Sequence, residues 1–396
     1  MSRFIGTTIM TTSHGTKKSI IALSVLSLLC SSAMAASIDQ TEVNYGGYIK
    51  LDAIWSDFSD GSLSSGHIGR DFYVPGTTPV SATSSSDAVF DMHARQSRFN
   101  LATRTKLDDG SEIKTKIELD FIASTGGNER VTNSYSPRLR QAFVTYKGWL
   151  FGQAWSNFQN VSALPETLDF VGPAEGTVFV RQAMVKYSTG NWSFSAENPE
   201  STVTTADSSR VETDDASMPD FTARYTYNAD WGHFAVAALA RQLTYKVGAA
   251  DETETSLGIS ASGRVNFGKN NLKFMMTQGQ GLGRYVGLNV ANGAVFDGND
   301  LHAIDSTSGF VGYQHHWNEQ FRSTFLYSFF LADNDESLLS ITGNPTKSSH
   351  SYSANLLYSP AKQLTFGIEY KVATRDTEAN IDGDLNRLQL SAKYVF

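Results

Sequence analysis

Basic side chains recur at alternate positions in several segments of the chain. Lys114 and Lys116 are two residues apart, and Arg138 and Arg140 have the same spacing. Alternate residues of a β-strand point to one face of a sheet, so each pair would place two positive charges on the same side. A surface lined by one sign of charge concentrates ions of the opposite sign. The spacing therefore predicts a face that attracts small anions.

The segments that carry these charges are apolar at the intervening positions. Lys50 and Asp52 alternate with Ile49 and Leu51, and the other segments follow the same rule. The parity selects 17 basic residues, of which Arg95 is placed at a rim: Lys50, Arg95, Arg98, Arg104, Lys106, Lys114, Lys116, Arg138, Arg140, Lys186, Arg224, Arg264, Lys273, Arg322, Lys371, Arg387 and Lys393. It selects only five acidic residues: Asp52, Glu112, Glu118, Asp120 and Glu369. The polar face is therefore predicted to be predominantly cationic.

Sixteen alternating segments can be marked along the chain. They span 44–56, 92–107, 111–123, 137–147, 149–155, 179–188, 191–198, 220–229, 231–243, 254–267, 271–282, 301–316, 318–332, 350–359, 362–374 and 385–396. Alternation at period 2 is typical of strands with one apolar and one polar face, and frequent Tyr, Phe, Ser and Thr suit them. The chain is therefore predicted to be all-β.

The connections between these segments alternate in length. The long ones are 57–91, 124–136, 156–178, 199–219, 244–253, 283–300, 333–349 and 375–384, and those between them are short, such as Asp108-Asp109-Gly110. Short turns on one rim, long loops on the other and an even strand number are typical of a transmembrane antiparallel β-barrel. A soluble sandwich has no reason to alternate so regularly. The predicted fold is a barrel of about 16 strands with short periplasmic turns and long extracellular loops.

Tryptophan positions give an independent indication. Trp149, Trp192, Trp231 and Trp317 lie beside short turns, and Trp55 and Trp155 lie at strand ends beside long loops. Interfacial tryptophans prefer the headgroup level of a membrane. The positions predict aromatic girdles at both rims.

Both ends of the chain agree with a secreted membrane protein. Lys17 and Lys18 precede a short apolar run and an Ala33-Met34-Ala35 site, which together are typical of a signal peptide cleaved after Ala35. Phe396 ends an alternating strand, as the closing strand of an outer-membrane barrel commonly does. The predicted units are a signal peptide at 1–35 and a barrel at 36–396.

The acidic residues are concentrated in the predicted long loops. The whole chain has a formal charge of −8, and the predicted mature chain has 29 basic against 40 acidic residues, or −11. A cationic lumen below acidic loops would favour anions. Other interpretations stay open: lumenal charges that only pair across strands, acidic loops that are only solvated surface, and acidic loops that divalent cations bridge to anionic lipopolysaccharide.

The connection 156–178 is unusually apolar for a loop that stays in water. It contains Phe158, Leu164 and Phe170 besides Glu166 and Asp169. We expect it to fold into the barrel and narrow it. Glu166 and Asp169 would then face the arginines of the second to fourth strands, and opposed charges across a narrow gap would orient charged solutes.

Four segments resemble the DcaP-like outer-membrane porins, and the resemblance extends over most of the predicted mature chain. The segments are Gly46-Gly47-Tyr48-Ile49-Lys50-Leu51-Asp52-Ala53, Arg95-Gln96-Ser97-Arg98-Phe99, Arg138-Leu139-Arg140-Gln141-Ala142-Phe143 and Phe151-Gly152-Gln153-Ala154-Trp155-Ser156-Asn157-Phe158. The resemblance implies a sixteen-stranded homotrimeric channel in the bacterial outer membrane that takes up dicarboxylic and aromatic acids.

The resulting hypothesis is passive diffusion of small anionic solutes, with dicarboxylates or aromatic acids as the substrate class. The candidate pore-lining residues are Lys50, Arg95, Arg98, Arg104, Lys114, Lys116, Arg138, Arg140, Glu166 and Asp169. A non-selective diffusion porin and an outer-membrane barrel enzyme are the alternatives. The sequence has no nucleophile motif, metal spacing, phosphate loop or nucleic-acid motif, so we expect no catalytic residue, cofactor or metal. The expected partners are small anions, outer-membrane lipid and lipopolysaccharide.

Overall fold

Alternating strands account for most of the chain in the computed structural model. The structure describes residues 40–81, 87–124, 131–248 and 250–396. The predicted signal peptide at 1–35 lies outside the described residues. Within them, no helix is long and apolar enough to cross a membrane.

The strands form one closed antiparallel barrel and one small additional sheet. They are β1 (Thr41–Phe58), β2 (Val89–His93), β3 (Arg98–Lys106), β4 (Glu112–Asp120), β5 (Arg138–Tyr146), β6 (Trp149–Trp155), β7 (Arg181–Thr189), β8 (Trp192–Glu197), β9 (Ser201–Thr204), β10 (Arg210–Thr213), β11 (Asp220–Ala229), β12 (Gly232–Val247), β13 (Ala250–Phe267), β14 (Asn270–Gln280), β15 (Ala294–Phe296), β16 (Leu301–Ala303), β17 (Asp305–His316), β18 (Phe321–Asp333), β19 (Thr346–Ala361), β20 (Leu364–Thr377) and β21 (Asp382–Val395). The described residues also contain two short α-helices, α1 (Ile68–Asp71) and α2 (Leu339–Thr342), and single 3₁₀ turns at Pro75–Thr77, Val161–Ala163, Gly283–Tyr285 and Glu336–Leu338.

The predicted sixteen-stranded barrel is confirmed. Strands β2 and β3 are two halves of one barrel strand, because both pair with β1. The barrel closes where β1 pairs with β21, from Tyr48 opposite Val395 to Phe58 opposite Leu385. Closure removes the free sheet edges that would otherwise template aggregation. Each of the sixteen predicted segments overlaps one strand of this barrel.

Side chains alternate between the two faces of the wall as the sequence predicts. Ile49 and Leu51 are 55% and 45% exposed on the outside, whereas Lys50 and Asp52 between them are 5% and 0% exposed. An apolar band outside and a polar interior are typical of barrels that sit in lipid. The exposed rings of Trp149 and Trp192 lie at the short-turn rim, as expected for a girdle.

Two connections that the sequence predicts to be long loops are strands. Residues 244–247 and 250–253 belong to β12 and β13, which pair from Thr244 opposite Thr253 to Val247 opposite Ala250. Residues 375–377 and 382–384 likewise extend β20 and β21. These hairpins project beyond the apolar band, where no lipid requires one face to be apolar, so the regular alternation that marks a strand is lost.

A four-stranded sheet made by two long connections was not predicted. It has the order β10, β9, β15 and β16, and it joins the connection after β8 to the connection after β14. Val203 and Phe296 from this sheet pack against Leu243 and Tyr245 of β12. The sheet therefore rests on the projecting end of the barrel wall.

The apolar core lies inside the barrel and is built largely by connections that fold inward. Phe158 and Tyr285, from the connections after β6 and β14, pack with Phe310 and Phe330 of the wall. Phe72 and Tyr73, from the connection after β1, pack in a second cluster with Val171. Three connections therefore fill part of the lumen and fix one another's position.

Candidate functional site

The connection between β6 and β7, residues 156–180, crosses the lumen, and we call it the inner loop. At one side of the barrel, Lys273 Nζ donates a hydrogen bond of 2.6 Å to the Leu164 carbonyl. At the other side, Lys50 Nζ donates one of 2.6 Å to the Leu168 carbonyl. The five loop residues from Leu164 to Leu168 thus connect β14 to β1. These two contacts place residues 164–168 inside the barrel.

The turn of the inner loop at Leu168 and Asp169 is held by buried groups of the wall. The Glu369 carboxylate accepts hydrogen bonds from Leu168 N (2.8 Å) and Asp169 N (3.0 Å). Lys371 Nζ donates to the Gly172 carbonyl at 2.7 Å. A buried backbone amide without a partner costs about 1–3 kcal/mol, so these contacts determine where the loop lies.

A close approach of two backbones fixes the second half of the inner loop. A Cβ atom on Gly176 would lie 2.0 Å from the Gly309 carbonyl oxygen of β17. Glycine is therefore required there for the loop to lie flat on the wall. Gly176 N also donates to Ser328 Oγ at 2.9 Å.

The two predicted acidic residues of the inner loop have different environments. Glu166 accepts two hydrogen bonds from the Arg322 guanidinium, of 2.7 and 2.6 Å, and one from Gln314. Burial raises the pKa of Glu166, but the hydrogen bonds and the charge of Arg322 outweigh it and hold the pKa below its ordinary value. Asp169 is buried and accepts hydrogen bonds from Tyr73 N and Gly172 N. Glu166 thus lies at the edge of the loop, and Asp169 joins two inward connections.

On the part of the wall that faces the inner loop, two carboxylates of β4 form ion pairs with two arginines of β5. Arg138 donates to both oxygens of Asp120, at 2.9 and 3.0 Å. Arg140 donates to Glu118 at 2.9 Å and to Asp120 at 2.7 Å. Bidentate pairs of this kind set the orientation of a guanidinium as well as its position.

More cations lie around Glu118 and Asp120 than these two carboxylates can neutralise. Lys116 Nζ lies 2.9 Å from Glu118, and Arg98 lies 3.7 Å from Asp120 and 4.0 Å from Glu118. Arg181 forms no ion pair within the described part of the chain. We call Arg98, Lys116, Arg138, Arg140, Arg181, Glu118 and Asp120 the basic cluster. It has five cations and two carboxylates, so it keeps a positive excess.

Aromatic rings lie against the basic cluster. The Phe170 ring of the inner loop lies 5.6 Å from the Arg138 guanidinium and 5.5 Å from that of Arg140. The Arg181 guanidinium lies 4.7 Å from the Trp155 ring, which also packs on Phe179. Cations over aromatic faces are stabilised by the ring quadrupole. The cluster is thus a surface of guanidinium groups and ring faces.

The sequence prediction did not include Arg181 among the lumenal cations, and it placed Trp155 at the membrane interface and not beside the inner loop. Strict alternation with Lys186 assigns Arg181 to the lipid face, and Trp155 was predicted to be interfacial. Their mutual contact and the contact of Trp155 with Arg140 place both beside the inner loop. Alternation does not apply where a strand joins the inner loop, which Trp155 precedes and Arg181 follows. Proximity to the apolar segment 156–178 is the one sequence signal that could have identified Arg181.

The other predicted site residues are not brought together with the basic cluster. Lys50 is buried and anchors the inner loop. Arg95 donates to Asp71 at 2.6 Å in the connection after β1. Arg104 and Lys114 share Glu112 near the short-turn rim, where their side chains are 44% and 53% exposed.

A cavity of about 450 Å³ lies between the edge of the inner loop and the wall. Glu166 and Phe170 line it on the loop side, and Arg98 and Lys393 line it on the wall. The Tyr48 ring lies 4.4 Å from Lys393 Nζ and 5.2 Å from the Arg98 guanidinium. Such a cavity has cations for an anionic group and ring faces for an apolar body. Within the described residues, no group of three His, Cys, Asp or Glu side chains could hold a metal ion.

Comparison with known proteins gives a consistent result. Residues 15–396 match the family model described as DcaP outer membrane protein. The crystal structure of the outer membrane channel DcaP of Acinetobacter baumannii is similar over 91% of this chain and 99% of that chain, with 25% identity and a TM-score of 0.75. An anion-selective porin from Comamonas acidovorans (11% identity, 90% and 100% covered, TM-score 0.55) and OmpT of Vibrio cholerae (11%, 91% and 99%, 0.54) share the fold. None of the curated proteins compared with the chain matches it significantly.

Proposed function

Because the chain belongs to the DcaP outer membrane protein family, we propose that it passes small anionic solutes, with dicarboxylates and aromatic acids as its substrate class. The protein is an outer-membrane porin with a sixteen-stranded barrel. Its family and its structural neighbours are channels, so the alternative of a barrel enzyme is set aside.

The observation that carries the proposal is the positive excess of the basic cluster beside the inner loop. Five cations face two carboxylates there, although the whole chain has a formal charge of −8. Charges in a narrow, low-dielectric passage act on permeating ions far more strongly than charges on exposed loops. The local excess therefore outweighs the acidic loops in setting selectivity.

The aromatic rings support the narrower substrate class. A carboxylate can bind at Arg98 or Lys393 while an attached ring packs on Phe170 or Tyr48, all of which line the same cavity. A second carboxylate would reach another cation of the basic cluster. This combination favours aromatic and dicarboxylic acids over neutral sugars, which need hydrogen-bonding rows instead of charge.

A non-selective diffusion porin is the second candidate. The ion pairs of Arg138 and Arg140 with Asp120 favour it, because a neutralised arginine attracts anions weakly. Recording of the reversal potential in a KCl gradient across a planar bilayer separates the two. We expect a potential that indicates chloride preference; a potential near zero or of the opposite sign would refute the proposal.

We also propose that the porin assembles as a homotrimer in contact with lipopolysaccharide. The support is the family relationship together with acidic loop residues that divalent cations could bridge to anionic lipid. Crosslinking in outer-membrane vesicles should give a band at three times the monomer mass, and a monomer-only pattern would contradict the assembly.

Arg181→Gln is expected to lower the chloride-to-potassium permeability ratio about threefold, because an unpaired cation in a narrow passage is lost. The guanidinium has no carboxylate partner among the described residues, so its removal leaves no buried charge behind. The reversal potential measures the effect. Arg104→Gln, which removes an exposed cation near the short-turn rim, is the control; an equal change in both variants would contradict a special role for Arg181.

Glu166→Gln is expected to raise the chloride-to-potassium permeability ratio about twofold. Arg322 loses its carboxylate partner and becomes an additional free cation at the cavity. The glutamine retains the size of the side chain, so the loop should keep its position. Glu319→Gln, at an 84% exposed side chain on the turn before β18, is the matched control. A fall in chloride preference would show that Glu166 acts mainly by holding the loop.

A further inference from the structure

Three neighbouring strands present a row of basic side chains outside the basic cluster. The register places Arg264 of β13 directly opposite His233 of β12 on one side and Lys273 of β14 on the other. All three residues are half-buried. They share the inward parity of the buried residues Ser262 and Met275. The row therefore faces the lumen.

The charges of this row are not neutralised by the protein. Directly opposed like charges on neighbouring strands are destabilising. Among the described residues, no carboxylate lies within ion-pair distance of Arg264 or Lys273, whereas Arg138 and Arg140 have carboxylates at 2.9 Å or less. The wall thus keeps two adjacent cations at a cost in stability, and a bound anion would offset that cost.

The donors of the row are oriented and available. Arg264 Nε donates to Asn266 Oδ1 at 2.7 Å, which fixes the guanidinium, and its two terminal nitrogens make no hydrogen bond with the described residues. Lys273 Nζ uses one donor on the Leu164 carbonyl. Asn160 Nδ2 lies 3.1 Å from His233 Nε2 and fixes that ring. A guanidinium edge beside an ammonium group is the donor set that a carboxylate prefers.

The row lies near the short-turn rim. β12 begins at Gly232, β13 ends at Phe267 and β14 begins at Asn270, so each residue of the row is within three positions of a strand end. The part of the inner loop that contains Asn160 and Leu164 contacts the row from within the lumen. The row is thus at the periplasmic mouth, reached by solutes that have passed the inner loop.

We propose that His233, Arg264 and Lys273 form a second anion-binding site, the mouth site, which binds a carboxylate group of a solute at the periplasmic end of the channel. This deepens the proposed function and rests on it, since the solute must be an anion that the channel passes. The guanidinium edge and the ammonium group hold the two carboxylate oxygens. The site gives a solute a binding position after the inner loop and favours its entry from the periplasmic side as well.

The test is succinate-dependent block of KCl current through the full-length mature channel, with channels inserted from one chamber so that their orientation is uniform. R264Q/K273Q is expected to raise the half-blocking succinate concentration about tenfold for periplasmic addition. For extracellular addition, the half-blocking succinate concentration of the double variant should differ from that of the wild type by less than twofold. R264K tests whether charge alone is sufficient. It keeps the cation but loses the bidentate guanidinium edge, so its half-blocking concentration should lie between those of the wild type and R264Q/K273Q.

Controls separate the mouth site from general charge and from the proposed function. K269Q removes an exposed cation at the same rim, and succinate should block this variant at the same concentration as the wild type. Heat-modifiable migration on a gel verifies that each barrel is folded. If the wild type prefers chloride and periplasmic succinate blocks R264Q/K273Q and the wild type at equal concentrations, the mouth site is refuted. If the wild type shows no chloride preference, the proposed function is refuted, from whichever side succinate blocks.

Discussion

Replacement of Arg98, Arg138 and Arg140 together by glutamine is expected to lower the chloride-to-potassium permeability ratio about tenfold, which corresponds to about 1.4 kcal/mol. The triple variant leaves the basic cluster with Lys116 and Arg181 against Glu118 and Asp120, and so without its positive excess. Because the basic cluster lies in the lumen beside the inner loop, the loss acts on the ions that pass it. The reversal potential in a KCl gradient measures it.

Two further variants separate local charge from total charge. Replacement of Arg104, Lys106 and Lys114 by glutamine removes the same number of cations from β3 and β4, but two of these side chains are exposed near Glu112 at the rim. It should leave the ratio within about twofold of the wild type because salt screens exposed charges. Addition of E118Q and D120N to the triple variant restores a cationic excess and should restore chloride preference. A triple variant with wild-type selectivity would show that the basic cluster is only structural.

The barrel itself could be predicted from the sequence because lipid imposes a simple rule on every strand. Outward positions such as Ile49 and Leu51 must be apolar, and inward positions such as Lys50 are free of that requirement, so period 2 appears in each spanning segment. The rule ends where lipid ends. The projecting hairpin at 244–253 and the four-stranded sheet containing Val203 have no lipid face, and no alternation identified them.

The site was predicted less completely than the fold because loops determine it. Inward parity correctly groups Arg138 and Arg140 on the polar face, but it does not tell an open position from one covered by the inner loop. Lys50 and Asp169 are buried by loop contacts that follow from long-range packing. Arg181 is the opposite case, since the inner loop ends beside it and a residue with lipid-facing parity is brought to the lumen.

The inner loop therefore matters to function as much as the wall does. Phe170 of the inner loop lies against Arg138 and Arg140, and Glu369 accepts the hydrogen bond of Leu168 N two residues before it. Glu369 is thus one of the buried wall groups that couple the position of the loop to the charge on the wall. Selectivity and conductance should accordingly change together when the anchor is removed.

Glu369→Ala is expected to raise single-channel conductance about twofold and to add rapid current noise, because the inner loop leaves its fixed position. The change removes the acceptor for Leu168 N and Asp169 N and one of the acceptors of Asn355 Nδ2. Loss of a buried acceptor costs about 1–3 kcal/mol for each donor left unpaired, which favours a loop position in which water reaches these donors. Planar-bilayer recording measures conductance and noise.

Glu369→Gln and Glu378→Ala complete the experiment. Glutamine keeps one acceptor oxygen but turns an amide group toward a backbone N–H, so its conductance should lie between the wild type and the alanine variant. Glu378 accepts a hydrogen bond of 2.9 Å from Asn334 in the connection after β18, outside the inner loop, and its removal should leave conductance unchanged. If Glu369→Ala conducts with wild-type amplitude and noise, other contacts, such as that of Lys371 with the Gly172 carbonyl, hold the loop without it. The backbone pairing of β20 with β19 and β21 does not depend on the Glu369 side chain, so a folded Glu369→Ala channel with higher conductance and lower chloride preference would establish that this carboxylate sets both properties through the loop.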